Sequence, residues 1–484
     1  MNPLSNLSLT SVEKKIIFFM TLYLLFHLVI RIFLSSTLQL DDSEQIFFGQ
    51  EFHLGYPIPQ PPLYTWLSWL AFKMFGTSLA TISVIKYILI FLTFVVLLDT
   101  VRFLNLSKYS LYFLFLSFLL MPSFAWHMHQ GFTHTILLGF ATFFTINTLI
   151  KLRYDQSQKR YFLFGVAVAV GLLSKYSYVI FLFSLIFSTF FVKSYRKIIL
   201  NKKVFTSLIV IVFLTFPNIY WLTTSDFLFS DAVEKKLSPE VGLLSLNNIK
   251  SALIFFKSSI GFIFPIIIFY LFAFLIRKKY EKTKQKTDEI VLFSWFYFII
   301  FSIAISLAIF VSIPHIKVRW LHPIFMIFPI IAVAMIDRYK NLSKKIFRPL
   351  FIFAIFISTF IFSIRILQSY VGPDLGYYGR LNRPIMEAIE NLTLNKHDKL
   401  ITLDGFLGSH LLIMFPNNNI KINEKEVLRQ KSSSVTNCIY IWDDDSEADL
   451  DFYDMKFPEK TSIKLNTANF TYKLSYHKTR NCEI

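Results

Sequence analysis

The chain has 484 residues, 54% of them hydrophobic and only 17% charged, with a formal net charge of +18. Apolar runs approaching the ~20 residues that cross a ~30 Å hydrocarbon core recur along it, which selects a polytopic membrane protein and excludes a soluble globular one. The positive surplus reads as topology rather than nucleic-acid binding: with Lys14 and Lys15 cytoplasmic, the basic clusters within 102–108, 151–160, 193–203, 277–286 and 338–348 all fall on that same side.

Thr10-Ser11-Val12-Glu13 offers a capping box ahead of the first apolar run, 16–34. That run has Arg31 near its end and lacks a small-x-small cleavage site, so it reads as a span rather than a removed signal. Beyond it, the first outer loop, 37–78, opens with Asp41, Asp42 and Glu44, three acids within four positions. Carboxylates crowded at a membrane surface are costly to keep without a partner or a task. A short helix is predicted over 43–52, with Asp41 or Asp42 as its N-cap, and a carboxylate just ahead of it would be held ionised by the helix N-terminus. Gly55-Tyr56-Pro57-Ile58-Pro59-Gln60-Pro61-Pro62 follows, where four prolines fix φ and stiffen the loop. The stretch 63–75, with Tyr64, Trp66 and Trp69 among aliphatics, predicts an interfacial helix.

Further spans are predicted near 79–99, 109–126, 132–150, 161–174, 176–192, 204–222, 257–276, 290–311, 322–337 and 347–366, for a total of about eleven with the first. Lys86 lies two turns into the span 79–99, where a lone cation needs a partner, either across a helix pair or on a loop carboxylate. Ser174-Lys175-Tyr176 interrupts an apolar run too long for one crossing and short for two, so the helices either break there or tuck the turn into the protein. A second outer loop, 223–256, carries Asp226, Asp231, Glu234, Lys235 and Lys236.

After residue 366 the long apolar runs stop. Strands are predicted over 399–403, 438–442, 461–465 and 470–476, and helices over 384–391 and 408–415, making 367–484 a small soluble α/β domain behind an all-α transmembrane domain of 1–366. Cys438 and Cys482 both lie in this tail. An oxidising compartment permits a disulfide between them, and two unpaired thiols fit the sequence equally well.

The loop Asp41-Asp42-x-Glu44-Gln45, followed by Gln60-Pro61-Pro62-Leu63-Tyr64-Thr65-Trp66-Leu67 and Phe75-Gly76, resembles the GT-C superfamily of membrane glycosyltransferases. Within it the sequence is most similar to bacterial relatives of the dolichyl-phosphate-mannose-protein mannosyltransferases, the group of the lipid A aminoarabinose and lipopolysaccharide galacturonic acid transferases. Thr133-His134-Thr135, Leu173-Ser174-Lys175-Tyr176 and Pro314-His315-Ile316-Lys317-Val318-Arg319-Trp320-Leu321 continue the likeness in order. The chain departs from many relatives at Asp42, where they carry Glu, and at His134, where some carry an acid.

The resemblance implies a GT-C-like fold and an inverting transferase that takes a sugar from a polyprenyl-phosphate carrier to lipid A or lipopolysaccharide core, at the periplasmic face of a bacterial inner membrane. Galacturonic acid or aminoarabinose is the implied sugar; a protein or another glycan is the alternative acceptor. Such a reaction needs a base for the acceptor hydroxyl and cations for the departing lipid phosphate. Asp41 is the candidate base, with Asp42 and Glu44 as further catalytic carboxylates. Lys175, Arg319 and Lys317 are the candidate phosphate ligands, an Arg fork and Lys point charges being suited to phosphate oxygens. Gln60, Tyr64, His134 and His322 are candidate substrate contacts. The His127-x-His129 pair lacks a third ligand at fixed spacing, so no metal site is assigned, although a divalent cation is compatible with the reaction. A transporter or flippase explains the spans but not the acid-rich loop joined to Gln60-Pro61-Pro62. A scaffold whose tail binds an envelope partner is the third reading.

Overall fold

The computed structural model describes residues 9–225, 246–311, 318–371, 383–395, 397–422, 425–427, 437–443, 460–467 and 470–480. Lys317, Cys482 and, in the second outer loop, Asp226, Asp231, Glu234, Lys235 and Lys236 lie outside them. The chain is mostly helical and divides into two compact units. One comprises Met1–Leu24, His53–Tyr64 and Ile88–Ile361; the other comprises Leu25–Phe52, Thr65–Tyr87 and Phe362–Ile484.

The helices in chain order begin with α1 (Ser11–Leu34), α2 (Leu40–Phe48), α3 (Leu63–Phe75), α4 (Leu79–Val101), α5 (Lys108–Leu120) and α6 (Pro122–Ala125). They continue with α7 (Thr133–Tyr154), α8 (Gln158–Leu172), α9 (Tyr178–Thr189), α10 (Lys193–Ile199) and α11 (Val204–Thr224). Then come α12 (Leu246–Ile263), α13 (Ile266–Ile276), α14 (Asp288–Val311), α15 (His322–Phe325), α16 (Phe328–Ile336) and α17 (Leu342–Val371). Among the described residues six helices are long and apolar enough to cross a membrane, and nine if each of three bent pairs counts as one span.

Two of those bent pairs fall within single predicted spans. The segment 109–126 breaks at Met121-Pro122 with a 67° bend, and 257–276 breaks at Phe264-Pro265 with an 85° bend. Proline lacks the N–H that would carry a helix through either point. Helix α9 turns by 116° into α10.

In the first unit α7 is the central helix, with 83% of its apolar window buried. Its Thr142, Thr145 and Thr148 return their hydroxyls to carbonyls one turn back, so they satisfy themselves inside an apolar bundle. Helices α8 and α11 approach so closely that a Cβ on Gly165 would stand 2.8 Å from the Ser207 carbonyl oxygen, and Ser207 Oγ donates to the Tyr161 carbonyl at 2.6 Å. Ion pairs gather the charged helix ends. Arg102 after α4 meets Glu13 of α1 at 2.6 Å, Arg153 of α7 meets Asp288 of α14 at 3.0 Å, and Lys284 meets Asp337 after α16 at 2.5 Å. Most of the basic clusters read from the sequence therefore meet at one end of this bundle.

The second unit contains helices α18 (Ile385–Glu390) and α19 (Gly405–Met414) and a six-stranded sheet. Its strands are β1 (Lys399–Thr402), β2 (Ile420–Ile422), β3 (Lys425–Val427), β4 (Cys438–Asp443), β5 (Thr461–Thr467) and β6 (Phe470–Thr479), in the order β3-β2-β1-β4-β6-β5. Strand β1 runs parallel to β2 and β4, and the remaining pairs are antiparallel. All six residues of β4 are buried, as a central strand covered on both faces requires. Helix α19 is the crossover from β1 to β2, capped by Asp404, whose carboxylate accepts from the backbone N–H groups of Phe406 (2.9 Å) and Leu407 (3.1 Å). The predicted strands and both predicted helices of the tail are present, whereas β2 and β3, three residues each, were not foreseen. Cys438 is disulfide-bonded; the chain's other cysteine is Cys482.

Candidate functional site

Two sets of the candidate residues are built, one in each unit. In the second unit the acidic helix α2 starts at Leu40 rather than at the predicted Ser43. Gln39 is its N-cap in extended conformation, so neither Asp41 nor Asp42 caps it; both lie in its first turn, where the helix dipole favours negative charge. The shift of the helix start follows from what Asp42 meets. Its side chain is fully buried, with Lys86 Nζ at 2.8 Å on one carboxylate oxygen and Arg31 Nη2 at 3.5 Å on the other. Lys86 thus takes the loop-carboxylate partner rather than a helix–helix role. Arg31 also donates from Nη1 to the Ser35 carbonyl (3.1 Å) and from Nη2 to the Thr37 carbonyl (3.0 Å), tying the end of α1 to the start of the loop. Asp41 is half-buried, and its charge also acts on Lys86.

Glu44, half-buried, accepts from Gln45 Nε2 at 3.3 Å, while Gln45 Oε1 accepts from Thr65 of α3 at 2.9 Å. The tail helix α19 holds the other side of α2. Ser409 Oγ donates to the Ser43 carbonyl at 2.9 Å, and Ser43 Oγ donates to Ser409 Oγ at 3.1 Å. The Leu38 backbone N–H donates to His410 Nε2 at 3.1 Å, and His410 Nδ1 lies 2.8 Å from the Phe406 carbonyl. The two contacts require one tautomer, with the proton on Nδ1 and a lone pair on Nε2. Burial pushes the His410 imidazole down to about 4; the Phe406 carbonyl opposes this and the Arg31 charge adds to it, so the ring is neutral near pH 7. Arg31, Lys86, Ser409 and His410 were not among the predicted site residues. Nothing in local sequence marks a serine and a histidine on a tail helix as supports for a loop more than 360 positions earlier.

In the first unit the proline-rich stretch folds into successive three-residue turns, with Ile58 N bonded to the Tyr56 carbonyl at 2.7 Å and Gln60 N to the Ile58 carbonyl at 2.8 Å. Leu63 N then reaches the Leu173 carbonyl at 3.2 Å and ties this stretch to the break between α8 and α9. Both alternatives for that break hold at once: the helices are interrupted and Lys175 is buried, its Nζ donating to Thr135 Oγ1 at 2.7 Å. A Cβ on Gly171 would meet the Tyr178 ring at 2.1 Å, so glycine is what lets the chain turn this tightly.

Around Lys175 stand His134 and His322, both buried, and its charge acts on each ring. Tyr64, fully buried, sits with its ring centroid 5.7 Å from that of His134. His322 Nε2 pairs with Ser123 Oγ, while its Nδ1 is buried with no hydrogen-bond partner among the described residues. Gln60 Oε1 is in the same condition. Arg319 is half-buried on a 3₁₀ turn, Val318–Trp320, immediately before α15. Among the described residues no group of three His, Cys, Asp or Glu side chains is arranged to hold a metal. Lys175 with the His134 and His322 rings makes a cationic, imidazole-rich cluster, a composition suited to an anion.

Comparison with known proteins bears on both sets. Residues 59–221 match the dolichyl-phosphate-mannose-protein mannosyltransferase family. The chain is 24% identical over 424 residues to the lipopolysaccharide core galacturonosyltransferase RgtA of Rhizobium johnstonii, covering 81% of this chain and 79% of that protein. It is 25% identical over 378 residues to RgtB of the same organism, covering 76% and 75%. Among solved structures it shares the fold of ArnT from Cupriavidus metallidurans bound to undecaprenyl phosphate, with a TM-score of 0.63 and 12% identity over 95% of this chain and 97% of that one.

Proposed function

We propose, from the premise that residues 59–221 are a dolichyl-phosphate-mannose-protein mannosyltransferase family domain, that this protein is an inverting membrane glycosyltransferase using a polyprenyl-phosphate-linked sugar. The acceptor is lipid A or lipopolysaccharide core, and the sugar is galacturonic acid or aminoarabinose. Similarity to two lipopolysaccharide core galacturonosyltransferases over most of the chain supports the acceptor class. A shared fold with a protein crystallised with undecaprenyl phosphate supports the carrier. In this reading the protein is a multi-pass protein of the bacterial inner membrane with about eleven spans in 1–366. Residues 367–484 form a periplasmic α/β domain, and the chemistry is on the periplasmic side.

The observation that carries the reading is the fixing of the acidic helix. Asp42 is locked between Lys86 and Arg31 while its neighbour Asp41 stays half-exposed on the same first turn. A base must be held in place and must remain reachable, and this pair divides those duties. Asp41 takes the proton of the acceptor hydroxyl as its oxygen attacks the anomeric carbon. The bond from that carbon to the phosphate oxygen breaks, and its electron pair leaves with the lipid phosphate. Asp42 is the positioning residue, and Glu44 orients the helix through Gln45. Lys175, Arg319 and Lys317 neutralise the phosphate as its charge grows, and Gln60, Tyr64, His134 and His322 bind sugar or phosphate oxygens.

The test is mass spectrometry of envelope lipids from cells carrying wild type, Asp41→Asn or no protein. Loss of one sugar mass from lipid A or core in the last two supports the reading. Equal lipid profiles in all three would refute it, and a sugar lost from protein or another glycan instead would move the acceptor.

A further inference from the structure

A second feature of the first unit lies apart from the candidate residues. Helices α12, α13, α14 and α16 surround a groove of about 860 Å³, within the size range of ligand pockets. Its floor is apolar and closed: Tyr270, Phe325 and Ile331 are buried. Its rim is apolar and open, with Ile260, Leu271 and Phe274 each more than half exposed. Four of the lining hydroxyls are already used: Tyr270 donates to Ser117 Oγ and Tyr297 to the Ile324 carbonyl, each at 2.8 Å, and Ser259 and Ser294 return theirs to carbonyls one turn back. The groove thus offers hydrocarbon along its length.

One end differs. Arg277 directly follows α13, Lys286 stands two residues before α14, and Arg338 stands two after α16, and all three line the groove. The strands of chain carrying them are cross-linked into a platform: Thr283 N bonds to the Arg338 carbonyl and Lys340 N to the Glu281 carbonyl, both at 2.9 Å. The neighbouring acids are committed elsewhere, Asp337 to Lys284 and Ser110, and Glu281 to Lys340. Arg277 packs its guanidinium on the Phe274 ring, and Arg338 donates to the Lys284 carbonyl at 3.2 Å. Among the described residues none of the three cations has a carboxylate partner.

We propose that this groove binds an acidic phospholipid, its acyl chains along the Tyr270–Ile331 floor and its phosphodiester against Arg277, Lys286 and Arg338. An apolar trough between helices, closed at one end by three uncompensated cations, complements a molecule with long chains and one anionic head, and basic pockets between membrane helices take such headgroups. The site is independent of the sugar-transfer reading.

The full-length protein is purified in mild detergent, and its retained lipids are counted by native mass spectrometry after exposure to dioleoyl-phosphatidylglycerol or dioleoyl-phosphatidylcholine. Wild type is expected to hold one phosphatidylglycerol at least tenfold more tightly than phosphatidylcholine. The triple variant Arg277→Gln, Lys286→Gln, Arg338→Gln is expected to lose that preference. Ala332→Phe, which fills the groove and leaves the cations in place, is expected to lose the lipid itself and keeps the test valid should the triple variant fail to fold. Equal retention of the two lipids by wild type, undiminished phosphatidylglycerol in Ala332→Phe, or a co-purified polyprenyl phosphate that phosphatidylglycerol does not displace would each overturn the proposal.

Discussion

Lys86 and Asp42, forty-four positions apart, form a 2.8 Å salt bridge in which both side chains are 0% exposed. The pair has a direct consequence for stability. Removing one partner of a buried ion pair strands the other charge, at a cost of about 3–5 kcal/mol. Lys86→Met and Asp42→Leu should therefore each lower the thermal midpoint in detergent sharply. The double variant should cost less than the sum of the two. Additive losses would mean that the bridge is not what each side chain contributes.

Asp41 and Asp42 should separate kinetically. Asp41→Asn keeps the Lys86 clamp intact, so the protein should unfold at its usual temperature while sugar transfer falls by roughly 10²–10⁴, the scale of a lost general base. Asp42→Asn should lose stability first and activity through it. Initial rates with purified protein and a polyprenyl-phosphate sugar decide the matter; an Asp41→Asn protein turning over like wild type removes Asp41 from the chemistry.

Lys175 should act on binding. A charge-assisted hydrogen bond to phosphate is worth about 1.5–3 kcal/mol, so Lys175→Gln should raise KM for the donor about 10- to 100-fold. Its partner supports a graded control, because Thr135→Val removes only the oxygen that accepts from Nζ. An unchanged donor KM in Lys175→Gln would assign the cation to structure alone.

His410 should make the acidic helix sensitive to acid. Its folded value, about 4, lies below the ordinary value of 6.5, so between those limits the unfolded chain binds more protons than the folded one. Stability is therefore complete above pH 6.5 and falls as the pH drops towards 4, by about 3 kcal/mol at most. Protonation places a hydrogen on Nε2 where the Leu38 N–H now points. Corrected for the intrinsic exchange rate at each pH, the protection of residues 38–48 against hydrogen exchange should fall between pH 7 and pH 4.5 in wild type. In His410→Gln, which can accept from Leu38 without titrating, this pH dependence should flatten. A wild-type exchange rate that follows only the intrinsic chemistry of exchange would remove His410 from this role.

Much of the local architecture was readable in advance because it depends on short-range pattern. The helix Leu63–Phe75, the strands starting at Lys399, Cys438, Thr461 and Phe470, and the break at Lys175 follow from apolar periodicity, β-branched and aromatic runs, and a charge in an apolar stretch. The bends beside Pro122 and Pro265 were signalled by proline but obscured by hydropathy, which averages across a break. The start of α2 was misplaced by three residues, because Asp42 is drawn into the helix by cations whose positions no window of sequence contains.

The sequence by itself determined that this chain lives in a membrane, which of its loops concentrates acids, and which residues carry chemistry-bearing side chains. These are properties of composition and spacing along one dimension. Only the tertiary structure decided that Asp42 is a buried anchor while Asp41 is not, and that a serine and a neutral histidine of the tail hold the helix bearing both. Burial and partnership depend on elements that meet after hundreds of intervening residues, and the strength of a charge or hydrogen bond is set by that company.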